Sequence, residues 1–465
     1  MNDHITKKAA LIIAIISSFV TPFLSSAVNV ALPSMARLFQ IDAVILSWVA
    51  TSYLLASVVF LVPFGRLADI HGRKRMLLWG YIVFTISTLG CGLANTVPVL
   101  LLFRIIQGFS SAMIFATGMA IVVSAFPPQE RGRVLGITVS SVYVGLSAGP
   151  FIGGFLTEYL SWRGVFLVNV PLGLIIIFLV LYKLRGEWAE AKGEKFDTIG
   201  SLIYGFGIIA LIYGLTHLST FKGLCLIIFG ILVMYAFVKW ETRVESPVFQ
   251  LALFKHNRVF AFSNLAALIH YSATSGVSFL LSLYLQHIKA LSPQEAGLVL
   301  IAQPIVQALF SPLAGILSDK IEPRIVSTLG MAITTLGLLS FVFLTQSTGL
   351  PIILSTLLIL GFGFALFSSP NMNAVMSSVE KKFFGLASGS TGTMRMFGMV
   401  ISMGVATLVF NHFIGRVQIT PEVYPVFTKS IKIAFLIFTI FCVAGVFASM
   451  VRGRVRPLPG PEMVK

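Results

Sequence analysis

The chain has 465 residues, 57% of them apolar and only 11% charged, with a formal net charge of +16 and a mean hydropathy of +0.94. Soluble domains run at about 45–50% apolar and about 25% charged, so apolar surface on this scale has to be covered by lipid rather than water. The basic surplus does not point to nucleic acid, because Lys and Arg gather in short connections between apolar runs, where they orient a membrane protein.

In chain order, apolar runs lie near 9–32, 43–65, 76–95, 98–125, 134–157, 163–182, 198–217, 222–238, 259–286, 295–317, 325–345, 351–378, 385–411 and 430–451. Each approaches or exceeds the roughly 20 residues needed to cross the hydrocarbon as a helix, so fourteen transmembrane helices are predicted. The first follows Lys7 and Lys8 like a secretory leader. It outruns the leader's apolar core of about 7–15 residues, and further spans follow at once. Cys91, Cys225 and Cys442 lie in widely separated apolar runs without CxxC or Cys/His spacing, so neither a disulfide nor a metal site is expected.

With the N-terminus placed in the cytoplasm, the cytoplasmic segments hold 24 of the 33 Lys and Arg and the opposite side 7. That positive-inside bias predicts a multi-pass protein of the cell (inner) membrane with both termini cytoplasmic. A repeat links two halves: Gly65-Arg66-Leu67-Ala68-Asp69 closes span two and Gly315-Ile316-Leu317-Ser318-Asp319 closes span ten. Glu130-Arg131 and Glu380-Lys381 follow spans four and twelve, and both correspondences have an offset of 250 residues. Parallel halves are one of the transporter architectures. The expected division is a six-helix bundle over 1–183, a linker with two inserted spans over 184–257, a second six-helix bundle over 258–452 and a cytoplasmic tail over 453–465.

Four motifs then carry a family resemblance. Gly65-Arg-Leu-Ala-Asp69-Ile-His-Gly72-Arg73-Lys74-Arg75 resembles the signature loop after helix two of the major facilitator superfamily. Leu102-Phe-Arg104-Ile-Ile-Gln107-Gly108 resembles its helix-four motif, and Gly145-Leu-Ser-Ala-Gly149-Pro150-Phe-Ile-Gly153-Gly154 is similar to the helix-five motif associated with antiporters. Trp162-Arg163-Gly-Val-Phe166-Leu-Val-Asn169-Val-Pro171-Leu-Gly173, with fourteen spans, resembles the EmrB/QacA-type drug:proton antiporter branch. In the second half the match is weaker and includes Arg395-Met-Phe-Gly398. The resemblance implies an all-α membrane protein of the major facilitator fold, two six-helix bundles plus two inserted helices.

Each motif has a chemical reading. Gly65 permits close helix approach, and Asp69 sits at a helix end among Arg66, Arg73, Lys74 and Arg75, able to pair with cations or accept from another helix's N-terminus. The resemblance implies a conformational latch here, made of Gly65, Asp69, Gly72, Arg73, Glu130, Arg131 and the second-half copies Gly315 and Asp319. Glu322-Pro323 in place of the basic stretch predicts a weaker second copy. Arg104 lies about 9 Å inside span four at 1.5 Å per residue. A cation at the middle of a span costs about 2.5–3.5 kcal/mol on insertion scales, which favours a cavity or a partner over snorkelling. Gly145, Gly149 and Gly153 share one helix face, and Pro150 removes a backbone hydrogen bond, as a seam between moving parts requires.

One omission stands against this pattern. The EmrB/QacA-type motif has an Asp five residues before Asn29, and here that position is Leu24. No acidic residue falls in the middle of a span, although proton-coupled carriers usually rely on such a group. Asp69, Glu158 and His270 are the candidates left, and His270, followed by Tyr271, titrates in an accessible range unless it is simply hydrogen-bonded between helices. Polar positions in apolar spans mark a central pathway: Asn29, Arg104, Gln107, His270, Tyr271, Gln303, Gln307, Asn371, Asn373 and Arg395. Met394, Met396, Met399 and Met403 supply an adaptable wall.

The expected function is proton-coupled efflux of amphipathic drugs or metabolites by alternating access, driven by the proton gradient without a cofactor. A dedicated single-metabolite transporter of the same fold is the alternative. The sequence has no nucleophile or metal constellation such as His-Glu-x-x-His, so it is not read as an enzyme. It is read as a monomer whose partners are a small amphipathic organic substrate, protons and the lipid bilayer.

Overall fold

The computed structural model describes residues 2–126, 128–217, 220–244, 247–249, 251–379, 384–415 and 417–453. Among the described residues there is no strand, and a long helix covers every predicted run. The first bundle consists of α1 Asn2–Phe39, α2 Ala43–His71, α3 Arg73–Leu93, α4 Val97–Ala125, α5 Pro128–Tyr159 and α6 Arg163–Tyr182, which breaks at Val168. Two more, α7 Thr198–Thr216 and α8 Phe221–Glu241, form the inserted pair. The second bundle consists of α9 Arg258–Ile288, α10 Pro293–Lys320, α11 Pro323–Val342, α12 Leu350–Ser377, α13 Phe384–Phe413 and α14 Tyr424–Val451. Among the described residues, thirteen helices are long and apolar enough to cross a membrane. The further one is α5, 32 residues long, which includes side chains outside the described set.

Local chemistry starts several of these helices. Asp42 Oδ1 accepts from Ile45 N at 2.7 Å, Asp197 caps α7 through Gly200 N at 2.8 Å, and Ser292 with Glu295 forms a reciprocal capping box at the start of α10. Such caps satisfy backbone N–H groups that have no carbonyl one turn back. The outward faces carry Trp79, Leu174, Phe206, Leu232, Leu309 and Phe447, all exposed. With the backbone satisfied inside each helix, this apolar rim suits hydrocarbon.

The two bundles repeat one packing scheme. In the first, α1 lies on α5, α4 bridges α2 and α3, and α3 meets α6; in the second, α9 lies on α13, α12 bridges α10 and α11, and α11 meets α14. Close backbone approaches repeat too. A Cβ on Gly108 of α4 would strike Tyr53 O of α2, and one on Gly361 of α12 would strike Gln303 O of α10. Across the halves, α2 packs on α13 and α5 on α10. The inserted α7 leans on both α2 and α13, with Tyr204 Oη donating to Val58 O at 3.0 Å and Asn411 Nδ2 to Thr216 O at 3.1 Å. Through α7 the pair therefore packs against one flank of the interface between the bundles.

Candidate functional site

Between the bundles lies a cavity of about 1510 Å³, walled by α1, α2, α4 and α5 on one side and by α9, α10, α12 and α13 on the other. Its lining comes from the halves of those helices nearer the face that carries the start of α1 and the end of α14. Ser17, Thr21 and Ser25 line it from α1, Gly65 and Asp69 from the end of α2, and Gly389 and Arg395 from the first half of α13. We call this the terminal face. Trp188, Glu190 and Phe249 from the connections around α7 and α8 stand at its mouth.

The opposite end is shut. Gly154 of α5 packs so tightly on α10 that a Cβ there would lie 2.5 Å from Pro293 O, and one on Gly297 of α10 would strike Pro150 O. Small residues allow such backbone contact within a membrane. Side chains sew the same end together: Ser282 Oγ donates to Asn29 O at 2.8 Å, Gln286 Nε2 to Val30 O at 2.9 Å, and Gln294 N to Glu158 Oε2 at 3.2 Å. Backbone joins there as well, Ala43 N donating to Val417 O at 3.3 Å. The glycine motif of α5 thus serves two partners. Gly145, Gly149 and Gly153 lie on α1, the first with a would-be Cβ 2.5 Å from Phe19 O, while Gly154 and Pro150 meet the other half.

The loop after α2 is clasped by the linker after α6. Arg73 donates to Asp69 Oδ1 through Nε at 2.9 Å and NH2 at 2.8 Å, to Glu190 Oε1 at 2.8 Å and to Ser124 Oγ at 2.7 Å. Arg66 pairs with Glu194, and Glu187 accepts from Lys74 N at 2.8 Å and Arg75 N at 3.3 Å, an anion at the N-terminus of α3 where the helix dipole favours it. Gly72 has φ +113°, and a Cβ there would collide with Glu187; backbone conformation and the linker both require glycine. Asp69 and Arg73 therefore pair within their own half while the terminal face is open. In the second copy Asn373 Nδ2 donates to Asp319 Oδ1 at 3.0 Å, and Gly315 lies near Ser369. Glu130 and Arg131 fall on α5, with side chains outside the described residues, as Glu380 and Lys381 are altogether.

The pathway candidates separate. Tyr271, Asn371 and Arg395 line the cavity. Arg104, only 2% exposed, is packed inside the first bundle. Its Nε donates to Val49 O at 2.9 Å, NH1 to Gln107 Oε1 at 2.6 Å, and the guanidinium covers the Tyr53 ring at 4.4 Å. Gln107 passes the chain on to Thr88 Oγ1 at 2.7 Å. Asn29 offers its backbone carbonyl to the closed end. His270 is fully buried, stacked on Phe367 at 4.0 Å and edge-on to Phe364 at 4.9 Å, and neither ring nitrogen has a hydrogen-bond partner among the described residues. Met396 and Met399 line the wall. Asn371 also accepts from Arg452 NH1 at 2.8 Å; burial lowers the Arg452 pKa to about 10, which leaves it cationic at neutral pH.

Sequence reasoning passed over Tyr143, the α1 stripe and the linker acids. The stripe was readable as Ser17, Thr21 and Ser25 at intervals of four in an apolar run, and the linker through the complementarity of Glu187, Glu190 and Glu194 with Arg66, Arg73 and Arg75. Tyr143 had no such signal; only the packing of α5 turns it to the cavity.

Paired parallel bundles around one central, one-sided cavity define a membrane transporter. The Major Facilitator Superfamily model matches residues 14–262 and 263–463, and the chain belongs to that family. It is 31% identical to the riboflavin transporter RibZ of Clostridioides difficile over 88% of this chain and 89% of that protein. It is 32% identical to the cephamycin export protein CmcT of Amycolatopsis lactamdurans, covering 87% and 85%, and 32% identical to the multidrug resistance protein Stp of Mycobacterium tuberculosis, covering 81% and 71%. These names agree with the branch resemblance carried by the motifs. Among solved structures, a bacterial homologue of the human lysosomal transporter Spinster in an inward-facing, unoccupied conformation superposes with a TM-score of 0.69 at 15% identity, over 96% of this chain and 97% of that one. A D-xylose–proton symporter gives 0.64 at 14%, over 93% and 97%. Both show the shared fold.

Proposed function

We propose that the chain is a proton-coupled exporter of amphipathic organic compounds in the cell membrane, a monomer with both termini in the cytoplasm. The observation that carries this reading is the large cavity between the halves, lined toward the terminal face and, among the described residues, shut at the opposite end. The basic excess on that face supports its assignment to the cytoplasm, which makes this the inward-facing state, ready to load from inside. The lining mixes hydroxyls, aromatic rings and methionines, and methionine walls repack around ligands of different shape. Relatives named for multidrug resistance and export support the outward direction. The relative named as a riboflavin transporter favours the second reading, a dedicated single-metabolite carrier.

For coupling, the geometry favours carboxylates over His270. The ring of His270 is walled off by Phe364 and Phe367, whereas Asp69 lines the open cavity and Glu158 sits on the closed seam. Protonating Asp69 would weaken its hold on Arg73, freeing that cation as the terminal face closes. The test is purified protein in liposomes with an imposed pH gradient, following three unrelated amphipathic dyes of anionic, neutral and cationic charge and lumenal pH together. Movement of several dyes with matching proton flux, reduced at least tenfold by Asp69→Asn and less than twofold by His270→Ala, is expected. Dye movement indifferent to the pH gradient overturns the antiport reading, and movement of none of them favours the dedicated carrier.

A further inference from the structure

The charges around the cavity do not balance with depth. At the mouth each cation has an acid: Arg73 holds Asp69 and Glu190, and Arg66 holds Glu194. Deeper, among the described residues, no Asp or Glu lies beyond the terminal turn of any helix. Arg395 does. It lies eleven residues past Phe384 in α13, about 17 Å along the helix at 1.5 Å per residue, with its guanidinium 5.1 Å from the centre of the Tyr271 ring and its side chain on the cavity wall. It makes no ion pair or hydrogen bond among the described residues. Around it the wall supplies Tyr143, Tyr271 and Ser368 as hydroxyl groups. Phe367, Met396 and Met399 add apolar surface.

Resting on the exporter reading, we propose that the substrates are organic anions, amphipathic molecules with a carboxylate or similar acidic group that docks on Arg395 while their apolar body lies on Phe367 and the methionines. An intramembrane cation without a counter-charge is costly and normally paired. A planar guanidinium takes a carboxylate in two parallel hydrogen bonds, and the stacked Tyr271 ring holds that plane in place. An organic cation at the same depth would meet Arg395 with no carboxylate to offset it.

Three probes of one shape test the assignment: pyrenebutyrate, pyrenebutanol and a pyrenebutyl trimethylammonium salt. Each is titrated into purified full-length protein by fluorescence anisotropy, then followed in liposomes. The anion is expected to bind at least tenfold more tightly than the cation. Arg395→Gln should abolish that preference while pyrenebutanol binding stays within twofold, which also certifies the fold, and Arg395→Lys should restore part of it. A cation bound as tightly as the anion, or a preference untouched by Arg395→Gln, overturns the anion assignment and leaves the exporter reading standing. If none of the three binds or moves, both readings fall.

Discussion

The two ends of the molecule are built from different materials. The closed end is held mostly by uncharged, short-ranged contacts, with Glu158 as the carboxylate among them: Gly154 and Gly297 let backbones touch, and Ser282 and Gln286 donate to carbonyls across the halves. The open end is charged, with Arg73 holding Asp69 and Glu190 and Arg66 holding Glu194. A seam held mostly by neutral contacts parts at modest cost, since each net hydrogen bond is worth about 0.5–1.5 kcal/mol. A charged network keeps its partners only while it is intact, so its rearrangement must hand each cation to a new acid. The contrast teaches that opening the neutral end should be easy and reversible, and that the charged end sets which state persists.

Breaking the seam should have the largest effect. Gly154→Leu forces a side chain into Pro293 and should hold the far end apart; we expect transport to fall more than tenfold, with cysteines placed near Asn29 becoming labelled by impermeant reagents. Arg73→Ala, which removes the hub of the charged end and leaves Asp69 and Glu190 unpaired, should reduce transport by about five- to tenfold. It should also change the rate of terminal-face closure, read by labelling of a cysteine at Ser18. Glu187→Gln tests the linker alone: losing the anion at the start of α3, a contact of about 0.3–1 kcal/mol, should shift the conformational equilibrium two- to fivefold with transport largely kept. Smallest is Ser282→Ala, which deletes the bond to Asn29 O and the one accepted from Gln286 Nε2 and should loosen the closed end by at most a few-fold. If Ser282→Ala outweighed Gly154→Leu, the division of labour between the ends would be wrong.

Much of the fold was legible because lipid imposes a simple rule. A crossing helix needs a long apolar run, and each of the fourteen runs became a helix, with Asp42, Asp197 and Ser292 capping three of them within two residues of the expected start. The 250-residue repeat in Gly65/Gly315 and Asp69/Asp319 foretold two like-oriented halves. The site was less legible. Arg104 and Arg395 are alike in sequence, lone arginines in apolar spans, yet one is locked on Val49 and Gln107 and the other faces the cavity. Nothing in the local pattern separates them, because the difference lies in which neighbour each helix face meets.

The sequence by itself determined the solvent, the crossing helices and the duplication, since each depends on composition or spacing along the chain. Only the tertiary structure decided which end is shut, that Glu187, Glu190 and Glu194 clasp the loop after α2, that His270 is enclosed by rings, and that Arg395 stands in the cavity with no acid beside it among the described residues. Those facts depend on contacts between residues hundreds of positions apart, and a distance between helices is not a property of either helix alone.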